Sequence, residues 1–204
     1  MTETEGELRE AARRDAQLAE AARRLAEMGL PEDDTTDLRS GAHFNDQLLA
    51  LLPLVGVWRG IGSGAVASSG AEFTFGQQLT FAHDGRPFLT YESRTWLVDA
   101  AGELIRLAFR ESGFWRPGLG PDDVEAQIAT AAGIVELFAG AAGDNRWEIA
   151  TSAVACTATA RPIVGERRLY AVVGDTLAYA SELHVAADGG FEPHLSARLN
   201  RFRS

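Results

Sequence analysis

Lysine is absent from this chain. All 19 basic residues are arginine, and 29 aspartates and glutamates outnumber them, giving a formal net charge of -10 and a pI of about 4.9. Such a surface is repelled by the phosphates of nucleic acid and by anionic lipid headgroups, so DNA, RNA and membrane partners are not expected. The preference for arginine reads as codon bias in a GC-rich genome, because the exchange changes little on an exposed face. Cysteine is almost as scarce. Cys156 stands alone, which excludes an internal disulfide and a zinc site built of thiolates, and it reads as a small buried hydrophobe on a strand. Long apolar runs are missing too: nothing approaches a membrane span, and the N-terminal MTETEGELREAARRD is charged where a signal peptide needs an apolar core. A cytoplasmic protein is expected.

What is present divides into two parts. The 204 residues, with glycine at 21 positions and aromatics at 8%, have the size and composition of one packed domain with an appendage. From Glu7 to Met28, the residues Leu8, Ala11, Leu18, Ala22, Leu25 and Met28 fall near one helical face. Gly29 suits the C′ position and Pro31 forbids continuation. The stripe is thin and alanine-rich. Docking on the rest of the chain, pairing with a second copy into a homodimer, and fraying in solution are all open to it, and a loosely attached helix is the first expectation. The following PEDDTTDLRSG is acidic and reads as a linker. The expected organisation is thus a helix and acidic linker over residues 1–42 and a β-barrel domain over residues 43–204. Within the latter, a short helix is expected from Asn45 to Leu52, with Asn45 as N-cap, Leu48, Leu49 and Leu52 buried, and Pro53 at its end.

From Val55 onward the texture changes to short segments of period-two alternation. Phe73, Phe75, Leu79 and Phe81 share one face of a strand, and Thr74, Gln78 and Thr80 the other. Asp84-Gly85, Ala101-Gly102, Gly143-Asp144-Asn145, Gly174-Asp175 and Asp188-Gly189-Gly190 separate such segments where hairpins need tolerance of positive φ. About ten strands are expected, approximately Val55–Ser63, Glu72–His83, Phe88–Asp99, Glu103–Trp115, Val124–Thr130, Gly133–Ala139, Arg146–Ala155, Arg167–Val173, Thr176–Val185 and Pro193–Phe202. Consecutive hairpins in this number favour an all-β fold, an antiparallel up-and-down barrel, since closure removes exposed edges. Such a barrel encloses a ligand cavity.

The chemistry-bearing residues are few. His83 precedes Asp84-Gly85 and reads as a solvated turn position; His43 lies in the linker. His184 alternates with Glu182 and reads as part of an exposed polar ladder. His194 opens the last strand beside Pro193. By parity it shares a face with Ser196 and Arg198, while Leu195, Ala197 and Leu199 take the other. A large cavity with a polar inner face still admits an inward histidine, so its role stays open on the residues alone. No carboxylate pair has a spacing that suggests acid/base catalysis, and no Gly-x-Ser-x-Gly elbow occurs. Gly56, Gly60 and Gly62 precede another β segment instead of a helix, which excludes a dinucleotide loop. They fit a sharply curved first strand, with Trp58 plugging one end of the barrel.

These residues nonetheless carry a resemblance. G-V-W-R-G-I-G at Gly56 to Gly62 resembles the G-x-W-x-G-x-G signature of the nitrobindins, a branch of the fatty-acid-binding-protein-like barrels. Further segments follow in family order: F-A-H-D-G-R-P-F-L-T-Y from Phe81, S-R-T-W from Ser93, E-S-G-F-W-R-P from Glu111, G-I-V-E from Gly133, T-A-T-A from Thr157, R-L-Y from Arg168 and P-H-L-S-A-R-L from Pro193. The similarity runs from about Leu51 to Arg201. It implies a ten-stranded barrel holding haem b with ferric iron, the imidazole of His194 as proximal axial ligand and catalytic centre, reversible binding of nitric oxide, and isomerisation of peroxynitrite to nitrate. Arg161 stands where the family carries lysine, and the resemblance implies that its charge pairs with a haem propionate. Two segments depart from the family: Y-P-T-I becomes part of AVASSGA at Ala65 to Ala71, and A-H-P-x-G-I becomes Ala129 to Ile134, without the histidine and proline. Both belong to the distal side of the implied pocket. The rival expectation is a haem-free barrel that carries a hydrophobic small molecule.

Overall fold

The structure, a computed structural model, describes residues 3–29, 33–66, 69–185 and 189–202. Two compact units emerge, Met1–Asp33 and Asp34–Ser204. The first contains helix α1, Glu3–Glu27, which begins four residues before the expected Glu7. Ion pairs from Glu20 to Arg23 and Arg24 lie along it, at the spacings that bring helical side chains together. No helix among the described residues is long and apolar enough to cross a membrane.

The second unit is a closed barrel of ten antiparallel strands: β1 Gly56–Ala65, β2 Glu72–Ala82, β3 Leu89–Val98, β4 Leu104–Pro117, β5 Asp123–Thr130, β6 Ile134–Gly143, β7 Arg146–Cys156, β8 Gly165–Val173, β9 Thr176–His184 and β10 Glu192–Arg201. Each strand pairs with its sequence neighbour, and β1 closes the ring on β10. Nine of the ten lie within two residues of the expected bounds; β6 extends to Gly143 instead of Ala139. Its Ala-Gly-Ala-Ala-Gly end reads as a loop, yet small residues are required there, because a Cβ on Gly140 would collide with the Glu148 carbonyl of β7. Asp144 and Asn145 then turn the chain at φ 50° and 58°, as a tight hairpin demands. The Asp188 turn lies partly outside the described residues.

One end of the barrel is plugged. A 3-10 helix, Asp46–Leu54, is capped by Asn45, whose side chain accepts from the Gln47 N–H at 3.0 Å. Its buried leucines are Leu48, Leu51 and Leu54, whereas Leu49 is 59% exposed and Pro53 lies inside the helix. The expected set of Leu48, Leu49 and Leu52 assumed 3.6 residues per turn; at three per turn, every third residue faces inward. Trp58 is fully buried and donates from Nε1 to the Leu54 carbonyl at 2.8 Å, and Trp147 donates to Ala50 at 2.9 Å, so two indoles tie the helix to the barrel. The glycines beside Trp58 serve close approach. A Cβ on Gly60 would overlap the Arg198 carbonyl of β10, and Gly56, at φ 142°, has the Arg201 guanidinium where a Cβ would be.

Residues that were expected as linker join this unit. Thr35 forms a two-way backbone bridge with His83, at 2.8 and 3.0 Å. This corrects the reading of His83 as a solvated turn residue: it is buried, edge-on to Phe44 at 5.0 Å, and its burial lowers its pKa. His184 is likewise half-buried beside Phe191, while His43 is exposed. Cys156, expected to be buried, is exposed at the end of β7, where β8 no longer pairs alongside.

Candidate functional site

The other end of the barrel opens into a cavity of about 480 Å³, a size suited to a small organic ligand or cofactor. Phe73, Phe109, Ile134, Ile163 and Leu195 give its mouth apolar walls, and His194 and Arg161 also line it. Gly56, Trp58, Gly60 and Gly62 lie outside its lining; they shape the plugged end and the β1 to β10 seam.

His194 reaches the cavity through an irregularity that parity counting does not see. Between β10 and β9 the register passes from Pro193 opposite Glu182 to Leu195 opposite Ser181, leaving His194 as the extra residue of a β-bulge. A bulge places consecutive side chains on nearly the same side, so His194 and Leu195 both line the cavity while Ala197 and Leu199 continue inward. The His194 Nδ1 lies 3.2 Å from the Ala65 carbonyl oxygen. A carbonyl only accepts, so Nδ1 is the donor in this contact and Nε2 is the ring nitrogen left for another partner. Arg161 is exposed at the rim.

Below the mouth runs a polar belt that sequence reading missed. Arg168 on β8 forms a two-pronged ion pair with Glu111 on β4, at 2.8 and 2.9 Å, and binds Glu166 at 2.6 Å. Tyr91 donates to Glu111 at 2.7 Å. Glu136 on β6 completes the cluster, with its Oε2 3.9 Å from Arg168. Gln77 donates to Ser93 and Thr95 at 3.1 and 3.2 Å on the facing wall. Burial pushes the Glu111 carboxyl up, but the Arg168 guanidinium outweighs it and holds the group below its ordinary range. At Glu136 burial dominates, and the carboxyl is raised to about 7. The three carboxylates come from three strands, so no spacing in the sequence announces them. A usable signal was the inward parity of Glu166, Arg168, Tyr170 and Val172 on β8, where charged and apolar residues share one face.

Among the described residues no group of three or more histidine, cysteine, aspartate or glutamate side chains is placed to hold a bare metal ion. What the cavity offers at its mouth is a single imidazole, His194, oriented by the Ala65 carbonyl. The chain belongs to the family of the THAP4-like, heme-binding beta-barrel domain, whose model matches residues 47–201. It is 48% identical over 177 residues to a peroxynitrite isomerase of Mycobacteroides abscessus, covering 83% of this chain and 85% of that protein. A ferric nitrobindin-like protein of Mycobacterium leprae is 46% identical over 177 residues, covering 83% of this chain and 76% of its own. The crystal structure of Rv2717c from M. tuberculosis superposes with a TM-score of 0.68 at 30% identity, covering 78% of this chain and 99% of that one.

Proposed function

We propose that this protein binds haem b with ferric iron through His194 and isomerises peroxynitrite to nitrate, with nitric oxide as a second ligand of the same site. The observation that carries the reading is the His194 imidazole, anchored through Nδ1 by the Ala65 carbonyl and lining the cavity mouth. Haem-bound histidines characteristically hold the second ring nitrogen this way, which fixes tautomer and orientation. Membership of a haem-binding family and the peroxynitrite isomerases among its relatives supply the rest of the support.

The residues present fit the group. The lining offers apolar side chains to a porphyrin face, His194 is the one imidazole among its residues, and Arg161 puts a guanidinium at the rim to pair with a propionate. Haem held there supplies an iron centre that polarises the peroxo oxygen of the substrate and weakens its O–O bond. Peroxynitrite and nitrate have the same atoms and the same charge, so no proton must be moved, and the mouth needs no acid/base pair. The chain's own part is confinement. Phe73, Phe109, Ile134 and Leu195 would exclude water and confine the substrate, and confinement favours rearrangement within the cavity over escape. Thr130, Ala131 and Ala132, in the segment that lost the family's histidine and proline, line this cavity with small side chains; of the other altered segment, residues 67 and 68 lie outside the described residues.

The test reconstitutes wild type and His194→Ala with hemin, compares Soret bands, and follows peroxynitrite decay by stopped flow. A Soret band and a haem-dependent decay rate that both collapse in the variant are expected. Equal spectra and equal rates would overturn the assignment, and no haem uptake by either protein would favour a haem-free carrier.

A further inference from the structure

The cavity buries an uneven set of charges. Glu111, Glu136 and Glu166 converge on one cation, Arg168, and all four line the space that His194 lines at the mouth. Arg168 bonds Glu111 and Glu166 through both terminal nitrogens. Glu136, 1% exposed, stands outside that pairing: its Oε2 is 3.9 Å from Arg168, and its Oε1 accepts a hydrogen bond from no described residue. Its neighbours across the sheet, Ile128 on β5 and Val154 on β7, carry no charge. Glu136 is therefore the carboxyl of the belt whose charge lacks a bonded counterpart. Buried charges act over several ångströms because little water screens them. Charge at His194 reaches the belt: burial raises the Glu111 carboxyl, and His194 acts with Arg168 and Tyr91 to lower it.

We propose that the Glu136 carboxylate tunes the iron held at His194, favouring the ferric over the ferrous state and coupling reduction of that iron to uptake of one proton. The inference rests on the haem reading above. A ferric porphyrin carries one more positive charge than a ferrous one, so an unpaired carboxylate on the same cavity stabilises the ferric form; burial and nearby charge are among the means by which a protein sets a haem potential. The same extra charge is what attracts an anionic substrate to iron. The coupling is reciprocal. Ferric iron favours ionised Glu136; when an external one-electron donor reduces the iron, the carboxylate takes one proton from solvent and the net charge of the cavity is unchanged. Burial raises the Glu136 carboxyl to about 7, which puts this exchange near neutral pH. The charged and titratable groups facing Glu136 are Glu111 from β4, Glu166 and Arg168 from β8, and the hydroxyls of Tyr91, Tyr170 and Tyr179. Arg168 keeps Glu111 and Glu166 bonded, which leaves Glu136 as the group that exchanges the proton.

Spectroelectrochemical titration of the hemin-loaded full-length chain gives its midpoint potential at pH 5, 6, 7 and 8, for wild type, Glu136→Gln and Glu148→Gln. Glu148 is the control, a surface carboxylate with a 64% exposed side chain. At pH 8, Glu136→Gln is expected to shift the equilibrium about tenfold toward ferrous iron, or about 59 mV for one electron. At pH 5, where residue 136 is neutral in both proteins, the difference should shrink below about threefold, and Glu148→Gln should follow wild type throughout. Propionates and iron-bound water titrate in all three proteins, so the difference between wild type and Glu136→Gln isolates the carboxylate. A wild-type potential that does not fall from pH 5 to 8 would overturn the proposal without any variant having to fold. So would a difference between wild type and Glu136→Gln that is equal at both ends of that range. No Soret band in the hemin-loaded wild type would overturn the haem reading and this inference with it, whereas normal Soret bands with an unmoved potential would overturn the role of Glu136 alone.

Discussion

His194 and Ala65 meet at the mouth of the barrel, ring nitrogen to backbone carbonyl at 3.2 Å. The contact ties the last strand to the end of the first and directs the imidazole without using a second side chain. His194→Ala, loaded with hemin, is expected to lose its Soret intensity, and added free imidazole should restore part of it because the cavity walls remain. A Soret band in the variant equal to wild type without imidazole would assign the iron to another group.

Arg161 is an exposed cation on the rim. An exposed ion pair contributes about 0–1 kcal/mol, so Arg161→Ala is expected to speed haem transfer to an acceptor protein by a few fold while leaving the Soret maximum in place. An unchanged transfer rate would remove the propionate role.

Much of this architecture was legible in the sequence because the signals were local. Alternation and turn residues placed ten strands, and the Asn45 cap was readable from residue type. His194 was flagged by resemblance, while its inward direction depends on a bulge, a register shift between β9 and β10 that one strand's sequence does not encode. Glu111 and Glu136 were harder to find for a related reason: barrel closure brings them to Arg168 from strands far apart in the chain. His83 misled for the opposite cause, a turn residue covered by Phe44 and by Thr35, the latter from a segment read as linker.

The plug separates the two helical periods. Leu51 is 1% exposed and Leu49 is 59% exposed. Leu51→Ala is expected to cost about 2–5 kcal/mol, and Leu49→Ala within about 0.5 kcal/mol of wild type. Denaturant melts of both variants check this; the reverse ranking would mean an α-helical arrangement in solution.

The unit boundary predicts how much of the N-terminus the barrel tolerates losing. A chain beginning at Asp34 keeps the Thr35 to His83 bridge and is expected to melt like the full-length protein. One beginning at His43 uncovers His83 and should melt lower. Equal loss from both truncations would make α1 part of the barrel's stability.

Glu136 also makes stability depend on pH in an unusual direction. Its folded carboxyl titrates at about 7 against an ordinary 4.5, so between those values the folded state holds a proton that the unfolded state has released. Stability falls with pH wherever the native state binds more protons. The contribution of Glu136 is therefore neutral below about pH 4.5, grows increasingly unfavourable up to about 7, and is constant above. A shift of this size corresponds to about 3 kcal/mol at roughly 1.4 kcal/mol per unit. Glu111 runs the other way, since its folded pKa is lowered, so the whole-protein profile mixes both signs. Glu136→Gln isolates the effect by difference: its stability relative to wild type should rise by a few kcal/mol from pH 4.5 to 7.5 and then level off. Urea melts of the two proteins at five pH values measure it, and a difference flat across that range would mean that Glu136 is ionised in the folded barrel at neutral pH.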